Sequence, residues 1–398
     1  MTTTSLLAPA SPAAATARPK LVTAPLLLRL VTMFGASVSF YLLLSAVPLY
    51  ATATAGSGAA GLATGALMVA TVAGESVTTR LVTRFGYRRT LAAGLILLGA
   101  PSLALIGRSG LVLITAVCVI RGLGFAIMVV AGGSLTAEII PAQRRGEGLA
   151  LVGVVAGIPA LAALPAGVWL ASRAGYPLVF AVAAAASLAA LVAVPGLPTG
   201  GRGRSPRPDR SAGLLTAVAN PALRRPAIVF AATTVAAGII VTFVPLVLAS
   251  AAGSDTALAL FGQAAAATVA RWLAGRYSDR HGSGSLLIPA LLVASAGVAL
   301  LALSAAPALV VAGGVVFGAG FGVAQNATLT LMYGRVPAVS YPAVSALWNI
   351  AYDAGMGAGA AVFGLLAGQT GYCAAFALTA AVMLVAVLPA RCDRRASH

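Results

Sequence analysis

The chain has 398 residues, of which 60% are hydrophobic and 8% charged, with a mean hydropathy of +0.99. Globular domains carry roughly 25% charged residues, so a water-soluble fold is excluded and lipid is the solvent for most of the chain. The net charge of +17 would suggest nucleic acid in a soluble protein, but the basic residues sit in short gaps between apolar runs, without interleaved aromatics, which argues against that partner.

The first 23 residues are rich in Ala, Thr and Pro, with Arg18 and Lys20. They lack an apolar core before a cleavage site, so a cytoplasmic tail is expected rather than a cleaved signal. Apolar runs near the 20-residue length of a membrane span then follow. In the first half they cover 24–50, 59–79, 90–107, 110–136, 148–172 and 177–196. In the second they cover 226–250, 256–275, 285–304, 308–333, 342–367 and 373–390. All twelve must be helices, because an open strand leaves unpaired backbone groups in lipid.

Between the halves lies a polar stretch, 198–225, with Arg202, Arg204, Arg207, Arg210, Arg224 and Arg225. Its Gly, Pro, Ser and Arg bury too little apolar surface to offset their ordering entropy, so a solvated linker is expected, with a short surface helix at 212–219. The expected division is a tail (1–23), a six-helix bundle (24–197), this linker, a second bundle (226–390) and a tail (391–398). The gaps alternate in charge. One set holds Arg80, Arg84, Arg88 and Arg89, then Arg144 and Arg145, the linker, Arg276 and Arg280, Arg335, and Arg391, Arg394 and Arg395. The other holds only Arg108, Arg173 and Asp255. The positive-inside rule then puts both termini and the linker in the cytoplasm of a multi-pass protein of the cell membrane.

The two halves match at an offset of 196 residues. Gly122-Leu123-Gly124-Phe125 recurs as Gly318-Ala319-Gly320-Phe321, Arg84-Phe85-Gly86 as Arg280-His281-Gly282, and Gly175-Tyr176 as Gly371-Tyr372. Pro141-Ala142 recurs as Pro337-Ala338, and Val47-Pro48-Leu49 as Val244-Pro245-Leu246, one residue out of step. Ordered matches at nearly one spacing imply two like-oriented repeats, which place a binding site near the bilayer midplane between them.

Residues 275–282 read GRYSDRHG, with Gly275, Asp279, Arg280 and Gly282 at loop-signature spacing. The segment resembles the loop motif of the major facilitator superfamily. The first copy, 79–86, is eroded: Thr79 and Thr83 stand where Gly and Asp would be, while Arg84, Gly86 and Arg88 keep the turn and the basic cluster. The resemblance implies a gating loop, and the missing Asp removes part of its latch. In the fourth run, Arg121 followed by Gly122 and Gly124 resembles the superfamily's arginine motif. The implied role is to tune a nearby carboxylate; the alternative is an arginine bonded to backbone carbonyls beside helix-packing glycines. In the fifth run, Gly157-Ile158-Pro159 departs from the Gly-Pro pair of the superfamily's antiporters.

Two acids lie well inside the runs. Asp353 is about 17 Å from the cytoplasmic start of its helix, near mid-membrane, and Glu75 is one to two turns from a cytoplasmic end. Glu75 has Arg271 at the equivalent repeat position. Intramembrane carboxylates are expensive, and such groups mark proton or substrate paths. The alternatives are a helix–helix hydrogen bond from Asp353 to Asn349 or Tyr352, and a salt bridge from Glu75 to an end arginine. Tyr41, Gln263, Gln325, Asn326, Trp348 and Asn349 are the further candidates to line a mostly apolar cavity.

The resemblance covers 24–390 and implies an all-α membrane protein of twelve helices, a monomer, working by alternating access. The arrangement looks most like the proton-driven drug and metabolite exporters, with Glu75 and Asp353 carrying protons and Arg121 tuning them. The alternatives are a proton-coupled importer of a nutrient or organic acid, and a non-transporting receptor. No ATP loop is present, and the resemblance implies a proton gradient as the energy source. Two histidines and three scattered cysteines leave no material for a metal site or a His-based enzyme, and no cofactor is expected.

Overall fold

A computed structural model describes residues 22–56, 58–141, 145–200, 216–248, 253–303, 306–336 and 340–396. Among them, twelve helices are long and apolar enough to cross a membrane. They are α1 (Ala24–Ala55), α2 (Ala59–Thr78), α3 (Arg80–Leu105), α4 (Leu111–Thr136), α5 (Leu151–Ala174) and α6 (Tyr176–Gly196) in one half. The other half has α7 (Pro221–Val247), α8 (Asp255–Ser278), α9 (Ser283–Leu301), α10 (Pro307–Gly334), α11 (Ala343–Thr370) and α12 (Tyr372–Asp393). The tail 1–21, most of the linker (201–215) and the side chains of Asp279 and Arg280 lie outside the described residues. Of the expected surface helix, 216–219 is helical.

Several ends differ from expectation, each for a local reason. The expected gap between the second and third runs is itself helical, because the two form one helical path, Ala59–Gly99, bent at Gly86 alone (φ 77°, ψ 170°). That left-handed conformation is cheap only for glycine. α7 starts at Pro221, with the Asn220 side chain accepting from the Ala222 N–H at 3.0 Å as its cap. The last turns of α3 and α6 tighten into 3-10 helix, at Ala100–Leu105 and Ala190–Gly196.

The repeat inferred from the sequence is visible in the backbone. Gly86 and Gly282 have φ of 77° and 79°, and Gly175 and Gly371 have φ of 81° and 78°. The glycine pairs of α4 and α10 have matching neighbours. A Cβ on Gly122 would lie 2.2 Å from the Leu67 carbonyl oxygen, and one on Gly318 2.2 Å from that of Gln263. A Cβ on Gly124 would lie 2.6 Å from the Leu98 nitrogen, and one on Gly320 2.4 Å from that of Ala294. Each glycine and its neighbour are displaced by the same 196 residues between the halves. Glycine therefore lets α4 seat against α2 and α3, and α10 against α8 and α9, in the same way.

The ends carrying the linker share one face of the bundle. There Arg88 Nε donates to the Leu197 carbonyl and the Tyr87 N–H to the Gly200 carbonyl at 3.3 Å. Arg335 makes a two-pronged bond to Asp393 (2.7 and 2.8 Å) and donates to the Ala222 carbonyl at 2.7 Å. This pair ties the ends of α10 and α12 to the start of α7. Asp393 is only 2% exposed. Asp393→Ala should therefore lower the stability of the purified protein by about 2–3 kcal/mol, read as a lower melting temperature in detergent. An unchanged melting temperature would show the tie to be idle.

The halves meet along α2–α11, α5–α8 and α1–α7. Close approach is concentrated away from the linker face. A Cβ on Gly61 would lie 2.4 Å from the Ala360 carbonyl oxygen, and Thr242 bonds Thr64 at 3.1 Å. Three glycines of α11 wedge it between two neighbours. Gly355 and Gly359 face Thr234 and Val235 of α7, and Gly357 faces Met68 of α2.

Candidate functional site

Immediately before those glycines, α11 carries Asp353, which is 6% exposed. Its carboxyl group lies close to that of Glu75 on α2, across the junction of the halves. Two ionised carboxylates have no donor between them, so a hydrogen bond within the pair would need a proton on one of them. Glu75 Oε1 is buried and has no hydrogen-bond partner among the described residues. Among the described residues Glu75 makes no salt bridge to an end arginine, the alternative read from the sequence; its charged neighbour is the other acid. Tyr41 of α1 and Tyr352 of α11 lie close enough for electrostatic interaction with Asp353. Tyr41 also packs edge-on against Phe40 at 5.3 Å.

Arg121 stands elsewhere. It is 2% exposed, donates from Nη2 to the Ser39 carbonyl of α1 at 3.1 Å, and lies beside Cys118. Nothing in its surroundings joins it to Glu75 or Asp353, so the arrangement matches the carbonyl-bonded alternative. The reason is its helix face: Gly122 presses against α2, which directs Arg121 towards α1. Its Nη1 is buried without a partner and borders a cavity of about 10 Å³ lined by Leu43, Thr64, Leu67 and Cys118, room for one water molecule.

The other candidates divide into two groups. Trp348 stacks on Phe230 (4.3 Å, 14°) and donates to Thr328 at 3.2 Å. With Phe321 and Tyr352 it makes an aromatic wall beside Asp353. Asn349 lies one turn before Asp353 on α11 and is half-buried, as is Gln325 on α10. Gln263 and Asn326 instead belong to the α8–α10 seam. The Gln263 backbone abuts Gly318, and Asn326 faces Gly275. Their Oε1 and Oδ1 atoms are buried without partners.

In the first gating loop, Arg84 lies over the Phe85 ring (5.3 Å) and Thr83 turns its hydroxyl back to the Arg80 carbonyl at 3.0 Å. Thr83 therefore does not supply the missing latch. Two arginines escaped the sequence analysis as site elements. Arg29, 4% exposed in α1, donates to the Gly132 carbonyl at 3.0 Å and to Thr32 at 3.2 Å, tying α1 to α4. A charge six residues inside an apolar run was its signal. Arg271 of α8 is exposed and acts electrostatically on Tyr41 and Tyr352, which lie on different halves. Its signal was the repeat position it shares with Glu75.

The sequence profile of the Major Facilitator Superfamily matches residues 29–356 and 250–395. Among curated proteins none matches the chain by sequence. Solved structures share the fold at low identity. The nucleoside transporter NupG superimposes with a TM-score of 0.71 at 13% identity, over 94% of this chain and 99% of its own. The xylose transporter XylE from E. coli, in a partially occluded inward open conformation, gives 0.72 at 13%, over 92% and 96%. A variant of the peptide transporter POT holding alafosfalin gives 0.73 at 15%, over 93% and 94%. With twelve membrane helices in two repeated halves and a profile match over most of its length, the chain belongs to the Major Facilitator Superfamily.

Proposed function

We propose that the protein is a proton-coupled secondary transporter that moves a small amphipathic molecule across the cell membrane by alternating access. The bundles 24–197 and 226–390 rock against each other about their junction, with the linker and both tails in the cytoplasm, and one chain carries a complete pathway. The observation that carries this reading is the Glu75–Asp353 contact, which bridges the halves within the membrane. With a proton between them the acids hold α2 to α11. With both ionised, like charges about 4 Å apart repel by about 4 kcal/mol at an effective dielectric of 20. That is enough to shift an equilibrium between two states by about a thousandfold. The glycines at 355, 357 and 359 give α11 a smooth surface on which to move.

The sequence favours export in exchange for protons. Proton-coupled import is the second reading, and the open cation at Arg271 favours it, because an anion is better accommodated once the neighbouring acids are protonated. Proteoliposomes separate the two. Under a pH gradient acid inside, an exchanger loads its compound into the vesicle and a symporter does so only with the gradient reversed. Flux that ignores the gradient in both polarities would overturn proton coupling.

A further inference from the structure

The start of α7 and the end of α12 form one corner of the bundle on the linker face. Val229 of α7 packs with Ala386 and Ala390 of α12 in one buried apolar cluster, and Arg225 Nη1 donates to the Cys392 carbonyl at 3.4 Å. Outside that seam both helices carry the same two-layer pattern. On α7, Arg224 and Ile228 are exposed and one turn apart. On α12, Arg391 and Leu388 are exposed and one turn apart, and Leu384 continues the stripe a turn deeper. On each helix the arginine is nearer the linker face, and the aliphatic side chain lies on its membrane side. Arg224, Arg225 and Arg391 form no ion pair among the described residues. The neighbouring acid, Asp393, is engaged by the two-pronged bond from Arg335. Three cations thus stand together above an exposed apolar stripe, and no carboxylate of the described residues is bonded to them.

We propose that this corner binds one anionic phospholipid of the cytoplasmic leaflet. Its phosphodiester lies among Arg224, Arg225 and Arg391, and its acyl chains run along the stripe of Ile228, Leu388 and Leu384. A guanidinium offers a phosphate two parallel donors, and basic pockets between helices on the cytoplasmic side suit lipid headgroups. A zwitterionic lipid would bring its own ammonium group into a set of three cations, so net negative charge is preferred. Free phosphate would fill the upper layer and leave the aliphatic one uncovered. An acidic protein segment would have to leave water to cover Ile228 and Leu388. The inference rests on the reading that the linker face is cytoplasmic, and it is independent of what is transported and of proton coupling.

The test is lipid binding by the purified full-length protein in detergent, read by native mass spectrometry and by melting temperature. The probes are phosphatidylglycerol and phosphatidylcholine with matched chains, and inorganic phosphate and glycerol 3-phosphate as soluble anions. Phosphatidylglycerol should bind more tightly than phosphatidylcholine and raise the melting temperature further, and the soluble anions should leave it unchanged. An arginine in the headgroup layer is worth about fivefold in affinity, so Arg224→Gln, Arg225→Gln and Arg391→Gln together should weaken phosphatidylglycerol binding about 100-fold and spare phosphatidylcholine. The corresponding triple lysine variant should keep most of the preference. Arg225 also holds the Cys392 carbonyl, so the double variant Arg224→Gln/Arg391→Gln, which leaves that bond in place, should still lose about 25-fold. The matched control replaces Arg80, Arg84 and Arg89 by Gln, three exposed arginines of the other half, and should keep the preference. An equal loss in that control would reduce the site to a diffuse surface field and overturn the proposal. Equal binding of the two lipids by the wild type, an unchanged preference in the triple Gln variant, or equal stabilisation by soluble phosphate would each overturn it too. Binding in detergent needs neither a gradient nor a defined orientation, so failure here leaves the transporter reading standing, and gradient-independent flux leaves the lipid site standing.

Discussion

Asp353→Asn should abolish gradient-driven accumulation in proteoliposomes while sparing exchange of the transported compound across a membrane without a gradient. Asparagine keeps the size of the side chain and can still donate to Glu75, so the α2–α11 contact persists. It cannot release a proton, so the repulsion that would open the junction is lost. With about 4 kcal/mol of conformational bias removed, the coupled rate should fall by at least about 100-fold. Glu75→Gln should do the same. The double variant should be scarcely worse than either single one, because the two residues act as one unit. The split between lost accumulation and surviving exchange is the informative reading, since a merely misfolded variant loses both. Asp353→Asn that accumulates the compound as well as the wild type would remove the carboxyl pair from the coupling mechanism.

The frame of this protein was legible because lipid permits few solutions. Apolar length and the 196-residue repeat gave twelve helices in two halves, and Gly86 and Gly282 marked turns that the backbone makes with nearly the same torsions. Glu75 and Asp353 were legible because ionisable groups inside apolar runs need a reason to be there. That they touch was not, because the contact depends on how α2 and α11 cross. The sequence could not say which way a side chain leaves its helix. Arg121 was expected beside a carboxylate, yet the Gly122 contact turns it to the Ser39 carbonyl. Gln263 and Asn326, expected to line a cavity, stand at the α8–α10 seam with buried, unpartnered amide oxygens. Arg271 was legible only as the repeat partner of Glu75, because its electrostatic reach to Tyr41 and Tyr352 depends on how the helices are arranged.

The glycines of α4 and α10 should be the most sensitive positions for folding. Gly122→Ala places a methyl group 2.2 Å from the Leu67 carbonyl oxygen, and Gly318→Ala places one 2.2 Å from the Gln263 carbonyl oxygen. The obstacle in both cases is backbone, which cannot swing aside as a flexible side chain can. Relief requires α4 to move off α2, or α10 off α8, breaking packed seams in cores of native density. Overpacking typically costs 1–3 kcal/mol, so each variant should lose about 3 kcal/mol, visible as a sharply lower melting temperature and loss of the monodisperse peak in detergent. The two sites lie in different halves with no shared neighbour, so their costs should add. Gly157→Ala in α5 is the matched control: its Cβ would meet nothing within 4 Å, and the better helix propensity of alanine should leave stability unchanged or slightly improved. If Gly122→Ala and Gly318→Ala melt like the wild type, the helices are looser than this packing requires. If only one does, the halves are not mechanically equivalent, and an account in which they rock as matched bodies would need one rigid and one compliant bundle instead.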